Sequence, residues 1–229
     1  MSTYVLTGAG SGIGRLVAER LHARGDTLIL IARDDRRAAD LTAAFPGAVA
    51  VASDLADPTA LADAVAAALP EAIDGIVHAA GIVELGTVAE LPVDAWTSQL
   101  TVNLVAPAEL TRLLLPRVRA ARGQVVFVNS GAGLTAHAGW AAYAASKHGL
   151  KALADALRSE EAEHGVRVTT VYPGRTATPM QETVHAQEGA AYDPDRWIDP
   201  ESVATVILTA LDLPRDAVMS DLTVRPGPR

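Results

Sequence analysis

No cysteine occurs in the 229 residues. That absence excludes disulfides, Cys-ligated zinc and thiol nucleophiles together. Positive charge is also in short supply. The 19 Lys and Arg face 27 Asp and Glu, a formal charge of −8, which speaks against a nucleic-acid partner or an anionic membrane surface. No segment approaches the roughly 18 uninterrupted apolar residues of a spanning helix. The opening "MSTYVLTGAG" has no basic stretch followed by an apolar one, so no export signal is expected and a cytoplasmic location is. No Pro/Ser-rich linker, internal repeat or charge block divides the chain. Residues 1–229 are therefore expected to form one domain.

What is present is a regular alternation. Short apolar runs at 3–8, 27–32, 48–53, 74–80, 123–129, 166–173 and 221–226 are mostly continuous in Val, Ile and Leu. Such runs suit parallel strands covered on both faces. Between them, Ile13, Leu16, Val17 and Leu21 keep helical spacing, with Gly25 as a stop, and Leu61, Val65 and Leu69 form a second stripe. Further helices are predicted over about 34–44, 93–103, 107–121, 141–163 and 200–212, with Gly165 ending the fourth of these five. The fold class expected is α/β: a Rossmann-type, doubly wound parallel sheet of about seven strands with helices on both faces. Residues 175–199 are polar and poorly periodic and are expected to be a substrate loop.

Between the first strand and the first helix lies "TGAGSGIG", with Thr7, Gly8, Gly12 and Gly14 in a T-G-x-x-x-G-x-G pattern. Glycines let a backbone turn tightly against a pyrophosphate, and the N–H groups and positive end of the following helix then face the phosphates. About twenty residues on, the second strand ends in Ala32 and Arg33. A small residue followed by a guanidinium suits a ribose 2′-phosphate. NADP(H) is therefore favoured, while Asp34 and Asp35 close by leave NAD(H) open.

"YAASK" places Tyr143 and Lys147 four residues apart, a spacing that brings both to one helix face. A free phenol titrates near 10 and is a poor base at neutral pH, but an adjacent ammonium favours the phenolate. Ser130 follows the fifth apolar run, where open parallel sheets bind ligands; its hydroxyl could steady a carbonyl oxygen. Asn103 interrupts a helical pattern just before Pro107.

The ordered motifs "TGAGSGIG" (7–14), "DL" (54–55), "HAAG" (78–81), "VNL" (102–104), "NSGAG" (129–133), "YAASK" (143–147) and "PGRTATPM" (173–180) resemble those of short-chain dehydrogenases/reductases of the shorter, single-domain branch. The resemblance covers nearly the whole chain. It implies a catalytic tetrad of Asn103, Ser130, Tyr143 and Lys147. Tyr143 would exchange the substrate oxygen's proton and Ser130 would hold that oxygen. Lys147 would bind nicotinamide-ribose hydroxyls and depress the tyrosine pKa, and Asn103 would anchor a water in a proton relay. The implied cofactor shell is Thr7, Gly8, Gly10, Ser11, Gly12, Ile13, Gly14, Arg33, Asp54, Leu55, Ala80, Gly81, Pro173, Gly174, Thr176 and Thr178, together with Tyr143 and Lys147.

One position departs from the pattern. His78 stands where the fourth-strand motif usually has Asn, and a core histidine is the expectation there. Trp140, Met180 and Trp197 are expected to wall an apolar substrate pocket, with His137 a weaker candidate. No metal is expected in the site. The reaction implied is alcohol–carbonyl interconversion on a small molecule, with homodimers or homotetramers built through the helices at about 107–121 and 141–163. Three alternatives stay open: an NAD-preferring dehydrogenase, a catalytically silent dinucleotide-binding regulator, and a sugar-nucleotide epimerase or dehydratase. The last resembles a longer branch than 229 residues accommodate.

Overall fold

The computed structural model describes residues 1–66 and 68–228. Seven strands form one parallel sheet: β1 (Thr3–Thr7), β2 (Thr27–Ala32), β3 (Val49–Ala52), β4 (Gly75–His78), β5 (Gln124–Val128), β6 (Arg167–Pro173) and β7 (Asp221–Val224), in the spatial order β3-β2-β1-β4-β5-β6-β7. Each expected apolar run contains one of them. The continuous apolar character has a direct cause. Val5 and Leu6 are adjacent in β1 and both fully buried, yet they belong to two different hydrophobic cores. A strand whose successive side chains enter opposite helical layers has no polar face.

One layer holds α1 (Gly12–Ala23) and α8 (Pro200–Asp212), which pack Val17 and Leu21 against Val203, Ile207 and Leu211. Each such side chain contributes about 1.5–3 kcal/mol of burial. The opposite core gathers Leu61 and Val65 of α3 (Leu61–Ala66), Leu110, Leu114 and Val118 of α5 (Ala106–Ala121), and Leu150, Ala154 and Leu157 of α6 (Ala141–Glu161). Beside β2 and β3 runs α2 (Asp35–Ala44), whose N-terminus the Asp34 carboxylate caps by accepting from the Arg37 N–H at 2.7 Å. Gly25 and Gly165 both adopt positive φ at the ends of helical segments, as their positions predict.

Two stretches differ from the sequence expectation. The break anticipated before Pro107 is absent. Instead α4 (Val93–Leu100) runs through a π-helical turn at Thr101–Val105 directly into α5, with Pro107 in its first turn. Proline removes one N–H from this continuous helix just past the π turn, where the ladder already departs from α register. The segment 175–199 contains α7 (Pro179–Glu188), capped by Thr178 and closed by Gly189 at φ 66°. Its buried face includes Gln181 and His185 beside Val184. Polar side chains on the inner face remove the apolar periodicity that would have announced a helix.

The chain leaves β1 toward β2 and β3 on one side, then returns to place β4 on the other. The crevice above the carboxyl ends of β1 and β4 is where an open sheet of this kind accepts ligands.

Candidate active site

The glycine turn occupies that crevice. Gly8 has φ 75°, and a Cβ built on it would lie 2.6 Å from the Ala80 nitrogen; one on Gly14 would lie 2.5 Å from the Gly8 carbonyl oxygen. Only hydrogen fits at either position. Ser11, the N-cap of α1, makes no side-chain capping bond, so the first N–H groups of the helix remain directed at the cavity. Thr7 is buried beneath, its hydroxyl accepting from the backbone N–H of Ala79 at 3.2 Å and of Ala80 at 3.1 Å. It clamps β1 to the end of β4 rather than lining the cavity.

A cavity of about 890 Å³ extends from this turn to the loop after β5 and to α7. Gly8, Ser11, Gly12, Ile13, Gly14, Ala80, Gly81, Ser130, Tyr143, Lys147, Pro173, Gly174, Thr176, Thr178, Trp140 and Met180 all line it, as does His137. A cleft of this size, a cradle that tolerates no Cβ and a buried lysine beside it fit a dinucleotide.

Several expected residues stand outside the cavity wall. Gly10 faces Arg37, whose Nε would be 3.3 Å from a Cβ there. Arg33 is 76% exposed and 3.5 Å from Asp34. Asp54 accepts from the Ala56 N–H at 2.9 Å in an exposed turn, and Leu55 packs on the α3–α5 core. Trp197 borders a separate depression near Pro226. Its ring centroid lies 5.3 Å from the Arg175 guanidinium and 5.2 Å from the His185 ring, so it supports the cavity wall from behind.

Tyr143 and Ser130 share a side-chain hydrogen bond. Ser130 also accepts from the Ala132 N–H at 3.1 Å. Lys147 lies one turn along α6 with Nζ 5.8 Å from the Tyr143 ring centre, donating to the Val128 carbonyl at 3.1 Å. Burial pushes the tyrosine up to about 12, and the Ser130 bond opposes this. Burial also lowers Lys147 to about 8. Both displacements have one cause: desolvation penalises whichever form is charged.

Asn103 sits in the π turn, fully buried. Its amide donates to the Ile82 carbonyl at 2.9 Å and to Ser146 Oγ at 3.0 Å, while Oδ1 accepts from the Ile82 N–H at 2.9 Å. Both amide hydrogens are thus committed within the protein. Ser146 donates in turn to the Tyr143 carbonyl at 2.7 Å. Asn103 braces the loop after β4 against α6.

His78 is a core residue. Its Nε2 pairs with Thr111 Oγ1 at 2.9 Å and its ring stacks on Phe127 at 5.0 Å. Burial drives its pKa down to about 3, and Nδ1 has no hydrogen-bond partner among the described residues. Where the family's asparagine would join strands, this side chain joins β4 to α5.

Sequence patterns did not single out Arg37, Arg175, Glu188 or Arg225. Arg175 and Glu188 form a two-pronged ion pair at 2.6 and 2.7 Å, and Arg175 also lies 5.9 Å from the Trp140 ring centre. Arg175 and Glu188 are 13 residues apart, and Arg225 is 53 from Tyr172, whose carbonyl it holds; no local motif reports either pairing.

The family model for short chain dehydrogenases matches residues 2–189. An uncharacterised short-chain type dehydrogenase/reductase of Sinorhizobium fredii is 32% identical, over 97% of this chain and 90% of its own. The 1-deoxy-11-beta-hydroxypentalenate dehydrogenase of Streptomyces exfoliatus is 35% identical, over 96% of this chain and 83% of its own. Among solved structures, a short chain dehydrogenase from Escherichia coli CFT073 complexed with NADPH superposes with a TM-score of 0.86 at 27% identity, covering 98% of this chain and 97% of the other. With this cavity and these relatives, the chain belongs to the short-chain dehydrogenase/reductase family and is an NAD(P)-dependent oxidoreductase.

Proposed function

We propose that this oxidoreductase interconverts an alcohol and a carbonyl on a small molecule, with NADP(H) as cofactor and Tyr143 as acid/base. The observation that carries this reading is the meeting of Ser130, Tyr143 and Lys147 in one cavity with the glycine turn. Gly8, Ser11, Gly12, Ile13 and Gly14 would hold the pyrophosphate. Ala80, Gly81, Pro173, Gly174, Thr176 and Thr178 would hold the nicotinamide end, and Asp54 and Leu55 would flank the adenine. When bound, the nicotinamide supplies or accepts the hydride. At neutral pH Tyr143 is protonated, its pKa being about 12. It is therefore set to donate its proton to a carbonyl oxygen that Ser130 also holds. Lys147 positions the ribose edge, Asn103 keeps α6 in register, and Trp140 and Met180 wall the substrate end.

The NADP preference is supported by Arg33 at the end of β2 and by Arg37, whose side chain lies over Gly10. A single functional unit over 1–229, a cytoplasmic location and assembly as a homodimer or homotetramer through α5 and α6 complete the proposal. No helix among the described residues is long and apolar enough to cross a membrane.

The test is Tyr143→Phe. Turnover should fall by about 10²–10⁴-fold, while NADPH binding, followed by its fluorescence, survives. A variant that keeps wild-type turnover would remove Tyr143 from the chemistry.

A further inference from the structure

Four Lys, Arg or Glu side chains line the cavity among the described residues: Lys147, Arg175, Glu188 and Arg225. Arg175 and Glu188 neutralise each other. Lys147 is buried beside the tyrosine. Arg225, just beyond β7, has a different situation. Its guanidinium rests on the backbone one residue past Ser130, where a Cβ on Gly131 would stand 3.5 Å from both Nη1 and Nη2. Nη1 donates to the carbonyls of Tyr172 at 3.0 Å and Val224 at 3.3 Å. These neutral acceptors fix the group without cancelling its charge. Among the described residues no carboxylate lies within ion-pair distance of Arg225, and Nε and Nη2 have no protein acceptor.

An anchored guanidinium with one edge uncommitted offers two parallel N–H donors, the geometry that a carboxylate accepts with both oxygens. It stands over the backbone beside Ser130, where the cavity meets the depression that Trp197 borders. The same cavity is also lined by Trp140, Val83, Val184 and Met180, which favours an apolar body. We infer that the substrate is a hydroxy or oxo acid with an apolar chain, its carboxylate held by Arg225 while Ser130 and Tyr143 hold the reacting oxygen. This rests on the alcohol–carbonyl reading above and names the substrate class for it.

The test compares α-hydroxy and β-hydroxy hexanoates with their methyl esters, using NADP⁺ and following absorbance. The wild type should prefer the acid of at least one pair by about 10- to 100-fold in kcat/KM, the range expected when a hydrogen bond to a charged group is lost. In Arg225→Leu that ratio should fall toward one, and Arg225→Lys, which keeps charge but not the fork, should lie between. Esters turned over as readily as acids would overturn the inference while leaving hydride transfer intact, as would an acid preference that survives Arg225→Leu. Should neither acids nor esters react, tryptophan fluorescence of the NADP⁺ complex titrated with the hexanoates decides. Saturable binding lost in Arg225→Leu would uphold the anion site and sink the alcohol–carbonyl reading; no binding would sink both.

Discussion

At the scale of single residues, the tyrosine, lysine and histidine of the core show how burial sets protonation. Tyr143 and Lys147 are displaced in opposite directions, up to about 12 and down to about 8, because desolvation penalises whichever form is charged. His78 follows the same rule further from the chemistry, at about 3. Its folded pKa lies below the unfolded value near 6.5, so between those two values the unfolded chain binds the extra proton. Stability supplied by the neutral ring is therefore complete above about pH 6.5 and is lost as pH falls toward 3. Urea unfolding between pH 6.5 and 4.5 should lose about 1.4 kcal/mol per pH unit more in the wild type than in His78→Asn. Parallel pH curves for the two proteins would show that the buried ring does not titrate as its surroundings imply.

At the scale of elements, the junction of β1 and α1 demands the most of the backbone. Gly14 lies so near the Gly8 carbonyl that one methyl group would collide with it at 2.5 Å. The obstacle is backbone, which cannot rotate aside as a side chain would. Gly14→Ala should cost about 1–3 kcal/mol in thermal or urea unfolding and weaken NADPH binding at least about tenfold, as the loop is pushed from its phosphate-facing shape. Wild-type binding in a folded Gly14→Ala protein would dissociate this turn from the cofactor. The π turn at Thr101–Val105 and α7 make a related point. Each puts polar side chains, Asn103 in one and Gln181 and His185 in the other, on a buried face. Ile82 and Ser146, distant in the chain, satisfy Asn103, while Gln181 and His185 pair with each other one turn apart within α7.

At the scale of the whole molecule, charge is distributed against its average. The chain carries −8, yet Arg37 lies over Gly10, Arg33 follows β2 and Arg225 lines the cavity. Arg33 and Arg37 are well exposed, at 76% and 49%, so their attraction for a 2′-phosphate is open to ionic screening. Raising salt from tens to several hundred millimolar should weaken NADPH binding several-fold more than NADH binding, the Debye length shrinking from above about 10 Å to a few ångströms. Equal salt dependence for the two cofactors, or equal affinity at low salt, would contradict the NADP preference. Light scattering checks the assembly: a monomer mass would refute the dimer or tetramer.

By itself the sequence determined the layered architecture, because parallel strands buried on both faces must be apolar throughout and the amphipathic helices between them keep a 3.6-residue period. It also determined the glycine turn and the Tyr143–Lys147 pair, both encoded within a few consecutive residues. Only the tertiary structure decided the rest. That α7 is a helix, that Asn103 braces a loop, that Trp197 stands behind the cavity and that Thr7 clamps two strands all depend on partners distant in the chain. The same holds for the direction of the Tyr143 pKa, which follows from how completely the fold removes water, and for Arg225, which reaches the cavity only because β7 pairs alongside β6. Local spacing reports what one helix or one turn can do; desolvation and long-range pairing exist only once the sheet has closed around them.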